Sequence, residues 1–271
     1  MKKIIIGIIV LAVIAGIGFF LLSPPAVTAA VLYVESGDVQ VNTGAGWQAG
    51  QDEMTLNQGD QIKTGEGEAT VILREGEVVH LQPNSEIKLD QISDKKIKIS
   101  QVTGETWNKI TKISGVSEFT IETPSTVATV RGTEFILNDE QLDVGDGEVD
   151  YGPKDNPGKV KVRANKKALK NKMQEEDLTE ADFAKLKKFP QKYINALKKQ
   201  RMREIKRNKA LLKLTKRDFN DDDIEKAFNE IDEGRVNEDE SYEKAPKIVK
   251  PRIKRIYQLT KEIKRAKARQ Q

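Results

Sequence analysis

The sequence predicts an all-β domain of short strands, a sandwich or roll, followed by a separate and mainly α-helical region. One transmembrane helix is expected at the N-terminus. Three observations carry this. Residues 4–22 are one apolar run. Residues 31–165 are short apolar-alternating stretches punctuated by Gly-acid steps. From residue 166 glycine nearly disappears, and Lys, Leu, Ile and Ala recur at helical spacing.

The apolar run IIIGIIVLAVIAGIGFFLL follows Met1-Lys2-Lys3 and holds no charge or amide. As a helix it would be about 28 Å long, close to the hydrocarbon thickness of a bilayer. Ser23-Pro24-Pro25 ends it, because two prolines cannot continue the hydrogen-bond ladder. Val27-Thr28-Ala29 would suit signal cleavage, which would make the protein secreted. The run is longer than the usual ~7–15-residue core of a signal peptide, so a retained single-pass anchor is the favoured reading. Lys2 and Lys3 flank one side, and the next lysine is Lys63. The positive-inside rule then puts residues 1–3 in the cytoplasm, a linker at 23–30 beyond the membrane, and the bulk of the chain extracytoplasmic.

Within 31–165 the stretches SGDVQV, QGDQI, GEGEATVIL, REGEVVHL, TGETW and VGDGEVDYG place turn or bulge chemistry between strands. ATVIL-REGE-VVHL reads as a hairpin with Val71 and Leu73 on one face, answered by Val79 and Leu81; Ile87 and Leu89 continue the pattern. Trp47 and Trp107 read as core or edge packing.

Composition removes much chemistry. The 271 residues include no cysteine and one histidine, His80. Thiolate nucleophiles, Cys-type metal sites and multi-imidazole zinc centres are excluded. His80, in EVVHLQP, reads as an ordinary strand histidine. The stretch 218–230 places Asp218, Asn220 and Asp222 at alternating positions of a calcium loop. However, Asp223 stands where glycine belongs and Asn229 where glutamate belongs, so no metal is expected. No cofactor or catalytic residue is expected either.

Three ordered blocks carry a family resemblance: GDQIKTGEGEATVIL, EGEVVHLQPNSEIKL and TPSTVATVRGTEF. Over about residues 31–165 they resemble the FecR domain family of extracytoplasmic β modules, with Glu75 where that family more often has aspartate. The third block, with Thr123, Pro124, Arg131, Gly132, Thr133, Glu134 and Phe135, is the most recognisable. The resemblance implies binding or signalling without catalysis. In the family's regulators, a cytoplasmic domain ahead of the membrane helix contacts a sigma factor. Met1-Lys2-Lys3 is too short to fold into such an interface, so direct transmembrane control of transcription is not expected.

Physically, Pro124 suits a strand start, where its missing N–H is harmless. Gly132 suits a bulge or close backbone approach. Arg131 and Glu134 are expected to form a partly buried pair inside the scaffold, the alternative being an arginine that contacts ligand.

The helical half, 166–271, is basic. Residues 164–271 hold 31 Lys/Arg against 19 Asp/Glu, while residues 1–163 hold 15 against 23. Thr179 and Asp182 form a capping-box pattern, Pro190 opens a long helix, Asn220 caps DDDIEKAFNEI, and a last helix follows Pro251 with Ile253, Ile256, Tyr257 and Ile263 on one stripe. RVNEDESYEKAP reads as a linker. The acidic β-surface is an evident partner for the basic helices. Further partners are the membrane through 4–22, an envelope polymer or protein, and anionic lipid at the basic helices; nucleic acid is not expected. The expected function is a membrane-anchored, non-catalytic binding module of the cell envelope. The alternative is a ligand-sensing signal-transduction component working through a separate membrane partner.

Overall fold

The computed structural model describes residues 30–74, 76–93, 95–111, 116–155, 158–208, 221–245, 247 and 250–269. The expected span at 4–22 lies outside these; among the described residues no helix is long and apolar enough to cross a membrane.

Two nine-stranded sheets form a sandwich. The first sheet, in spatial order, is β18 (Glu175–Asp177), β17 (Lys166–Leu169), β14 (Gln141–Asp146), β13 (Glu134–Leu137), β10 (Thr106–Lys109), β7 (Glu77–Leu81), β6 (Glu68–Leu73), β1 (Ala30–Ser36) and β4 (Met54–Leu56). The second is β16 (Val160–Arg163), β15 (Glu148–Pro153), β12 (Thr126–Val130), β11 (Glu118–Glu122), β9 (Lys96–Thr103), β8 (Glu86–Ile92), β5 (Gln61–Thr64), β2 (Val39–Asn42) and β3 (Trp47–Ala49). Pairing is antiparallel except between β9 and β11.

The chain repeatedly crosses between sheets at a corner, as in β1 to β2, β5 to β6, β7 to β8, β9 to β10, β12 to β13 and β14 to β15. Several Gly-acid steps expected as hairpin turns or bulges are these corners: Gly37-Asp38, Gly65-Glu66, Gly104-Glu105 and Gly147-Glu148. The hairpin β6–β7 pairs Val71 with Val79 and Ala69 with Leu81. Leu32, Val41, Ile62, Val71, Leu73, Leu81, Ile87, Leu89, Ile99, Phe119 and Phe135 fill the space between the sheets. Each such side chain, fully buried, contributes about 1.5–3 kcal/mol.

The first sheet is buried on its outer face as well. Val31, Tyr33, Ile72, Val78, Trp107 and Ile136 project there and pack against Leu186, Phe189, Tyr193, Ile194, Leu197, Leu259 and Ile263. The covering layer contains α1 (Glu180–Leu186), α2 (Pro190–Arg207), α3 (Asp221–Asp232), α4 (Glu238–Glu243) and α5 (Lys250–Ala268). Thr179 and Asp182 make the expected capping box of α1, and Pro190 stands at the start of α2. Asn220 lies outside the described residues.

Three expectations are corrected. The helical region is not separate, because its apolar face completes a second core on the first sheet. Its start at 166 is too early, since β17 and β18 extend the sheet to Asp177 through cross-strand pairs such as Lys167 with Glu176. The supposed linker contains α4, whose N-cap Asn237 accepts from the amides of Asp239 and Glu240.

Lysines at seven-residue spacing tie the layer down. Lys185 reaches Glu105 at 3.1 Å, Lys192 pairs with Glu68, and Lys199 reaches Glu35 at 3.2 Å. These basic-to-acidic contacts realise the charge complementarity of the two halves. Each is partly exposed and contributes little on its own.

Candidate functional site

The block TPSTVATVRGTEF runs from the β11–β12 turn, along β12, over a corner and into β13. Its start is fixed by Asp139, which accepts from Thr123 Oγ1 at 2.7 Å, Ser125 Oγ at 2.7 Å and the Ser125 amide at 3.0 Å. Lys170 lies 3.1 Å from its other oxygen. Burial would raise the Asp139 carboxyl, but the hydrogen bonds from Thr123, Ser125 and Lys170 outweigh it and hold the group down at about 2. Pro124 is exposed in the turn just before β12.

At the corner Gly132 has φ +74°. It lies against a second corner, between β14 and β15, where Gly147 has φ +86°. A Cβ on Gly147 would stand 2.7 Å from the Gly132 carbonyl oxygen, so only glycine lets the two chains meet. Thr133, fully buried, donates its hydroxyl to the Glu148 carbonyl at 2.9 Å and closes the junction. The register shift between Glu134 and Phe135 puts the bulge at Gly145, opposite the block and not at Gly132.

The expected Arg131–Glu134 pair is not formed. Glu134 is held by Lys109 of β10, whose ammonium is 2.9 Å from Oε2 and also 3.3 Å from Asp146. Arg269, just past α5, binds the same Asp146 at 2.9 Å. The reason is the strand direction: Glu134 pairs opposite Lys109 in the ladder, while Arg131 lies before the corner and outside the first sheet. Phe135 points into the core between the sheets.

Arg131 is exposed, and among the described residues its side chain makes no ion pair. It borders a shallow depression of about 490 Å³ with Ser117, Thr129, Gly147, Glu148 and Asp150. Lys161 already engages Glu148 at 2.5 Å and Asp150 at 3.6 Å. A second hollow of about 450 Å³ shares Thr129 and continues over Lys98, Glu122 and Lys154 on the outer face of the second sheet. This face carries interleaved charges such as Lys96 with Glu118 and Lys98 with Glu122. A polar surface of this kind can contact a partner through ion pairs and hydrogen bonds.

His80 lies elsewhere, 1% exposed on β7 beneath α2. Burial first, and Lys192 second, lower it to about 4, so it is neutral at pH 7. Trp107 is core, stacked on Phe189 at 5.2 Å, and Trp47 sits on the edge strand β3 under Lys63. Among the described residues no group of His, Asp and Glu could hold a metal ion. The sequence reading missed Lys109 and Asp139. The only signal for Lys109 is a charged residue two positions after Trp107 inside a strand.

Residues 60–150 match the family model described as FecR protein. The match takes in nearly all of the three blocks that carry the resemblance. No curated protein matches the chain. Among solved structures, two crystal structures of a "putative anti-sigma factor" from Parabacteroides distasonis are similar at 18% identity and a TM-score of 0.37. The likeness covers 44% of this chain and 59% of theirs, and is too low to bear on function.

Proposed function

We propose that this chain is a non-catalytic FecR-type interaction module, a signal-transduction component that works by contacting a partner protein. The match over residues 60–150 carries the reading. The shape supports it: helices cover the outer face of the first sheet, while the outer face of the second presents ordered charges and the Arg131 corner to solvent. Residues 4–22 would anchor the module in a membrane, with the folded part outside the cytoplasm. Three lysines of the basic helices already bind the sheet, which favours an intramolecular role for that basic face over lipid contact.

The test is affinity capture from solubilised membranes with the intact chain and with an Arg131→Glu chain of equal stability. One protein, recovered saturably by the first and depleted with the second, is the expected result. Equal recovery by both would overturn the placing of the contact at this corner. Retention on purified envelope polysaccharide alone, with no protein, would move the reading to a surface-binding module.

A further inference from the structure

The second core between the first sheet and α2 contains one titratable ring. His80 pairs across strands with Thr70 of β6 and Trp107 of β10. Its Nδ1 is 2.9 Å from Thr70 Oγ1. Its Nε2 faces Lys192 Nζ at 3.5 Å and Glu68 Oε2 at 3.7 Å. The Phe189 ring, immediately before α2, lies 5.7 Å away and also stacks on Trp107. Among the described residues the charged groups facing the ring are Glu68 from β6 and Lys192 from α2; the Thr70, Phe189 and Trp107 walls are uncharged. An ammonium only donates, so Nε2 keeps its lone pair toward Lys192 and Nδ1 donates to Thr70.

We propose that His80 is an acid-operated release for the helical layer: a proton on Nε2 opposes the Lys192 ammonium and competes with it for Glu68, loosening the first turn of α2 from the sheet. The ring cannot avoid the conflict by turning outward, because it is buried under Phe189 and α2. Among the described residues Glu68 is the carboxylate facing both cations, so stabilising the imidazolium weakens the contact that ties Lys192 to the sheet. The device lies on the covered face of the first sheet, away from the Arg131 corner, and does not depend on the function proposed above.

The sign follows from linkage. His80 is lowered to about 4 when docked and returns toward its ordinary 6.5 when exposed, so docking is fully favoured above pH 6.5 and weakens as pH falls toward 4. The docking equilibrium should fall about 20-fold between pH 7 and pH 5. His80 is the only histidine, so its Cε1 proton can be followed by NMR in the full chain without assignment ambiguity. The expected result is a titration midpoint well below 6.5, with the Trp107 indole signal shifting on the same midpoint. Lys192→Met should move that midpoint upward. His80→Gln should remove the acid response of Trp107; this comparison cancels other groups titrating nearby, Asp143 among them. A midpoint near 6.5 in the unaltered chain, or an unchanged Trp107 response in His80→Gln, overturns the proposal. If His80→Gln does not fold, failure of Lys192→Met to move the midpoint overturns it equally.

Discussion

Lys109 holds Glu134 at 2.9 Å across the β10–β13 ladder, with its own side chain only 7% exposed. This cross-strand pair stabilises the most recognisable block of the sequence, and Arg131 is left outside it.

Substitution separates the two roles. Lys109→Ala strands the half-buried Glu134 carboxylate and should cost about 2–3 kcal/mol in urea unfolding. Arg131→Ala removes an exposed side chain with no ion pair among the described residues and should stay within about 0.5 kcal/mol. Equal losses in the two variants would contradict this division.

The junction of the two corners makes Gly147 sensitive. An alanine there needs φ near +86° and places its Cβ 2.7 Å from the Gly132 carbonyl oxygen. Gly147→Ala should destabilise by more than about 2 kcal/mol by thermal or denaturant melting. Gly234→Ala, with nothing near its Cβ, is the control for φ strain alone. The difference between the two measures the cost of the close approach.

In the helical layer Arg201 grips Asp232 through two hydrogen bonds of 2.6 and 2.8 Å, with Asp232 fully buried. Asp232→Ala leaves a buried guanidinium without its carboxylate and should cost about 3–5 kcal/mol. The double variant Arg201→Met/Asp232→Leu should recover much of that loss. A double variant as unstable as the single would show that the pair itself, not the orphaned charge, sets the energy.

Asp143 lies under α1 and is raised to about 6, first by burial and then by the Asp182 carboxylate, against the hydrogen bond from Gln141. A carboxyl raised on folding binds more protons when folded, so this group favours the fold below about pH 4, loses that contribution as pH rises through 6, and opposes folding at pH 7. Asp143→Asn should therefore stabilise the chain by about 2 kcal/mol at pH 7 and by little at pH 4. Asp139 acts in the opposite direction: held down at about 2, it contributes stability above pH 4 that is lost as pH falls toward 2. Denaturant curves of the unaltered chain and Asp143→Asn at pH 7 and 4, and of the unaltered chain and Asp139→Asn at pH 4 and 2, check the two signs.

Much of the architecture was legible because apolar patterning reports how many faces a strand buries. IKLD and KIKIS alternate strictly, and β8 and β9 turn their charged residues to solvent. ATVIL and VVHL are apolar apart from Thr70 and His80 and hold no acid, lysine or arginine, and β6 and β7 are buried on both faces, one of them by helices. Charge complementarity points to packing of the basic helices on the acidic β-domain, but not to the apolar second core that α2 makes with Ile72 and Val78. Local caps were also legible: Thr179 and Asp182 lie three residues apart and form a contact that depends on nothing distant. The Lys109–Glu134 pair spans 25 positions and depends on register across a corner, which no local pattern encodes. β17 and β18 are hidden by their charges, since Lys167 takes strand geometry from pairing with Asp143 of β14 and Glu176 of β18, and no apolar alternation marks it. α4 carries a single aromatic, Tyr242, which stacks on Tyr257, and four acids, so it has no apolar stripe to betray it.

The central claim is that the second sheet's open face and the Arg131 corner contact a partner protein. A photo-crosslinking residue at Thr129, which borders both hollows, measures this most directly in the intact chain. The same residue at Lys188, beside the helices, is the comparison. The account predicts one discrete protein adduct from position 129, competed by unlabelled chain and abolished by Arg131→Glu. An adduct from position 188 alone, or none from 129 that unlabelled chain competes away, would contradict it.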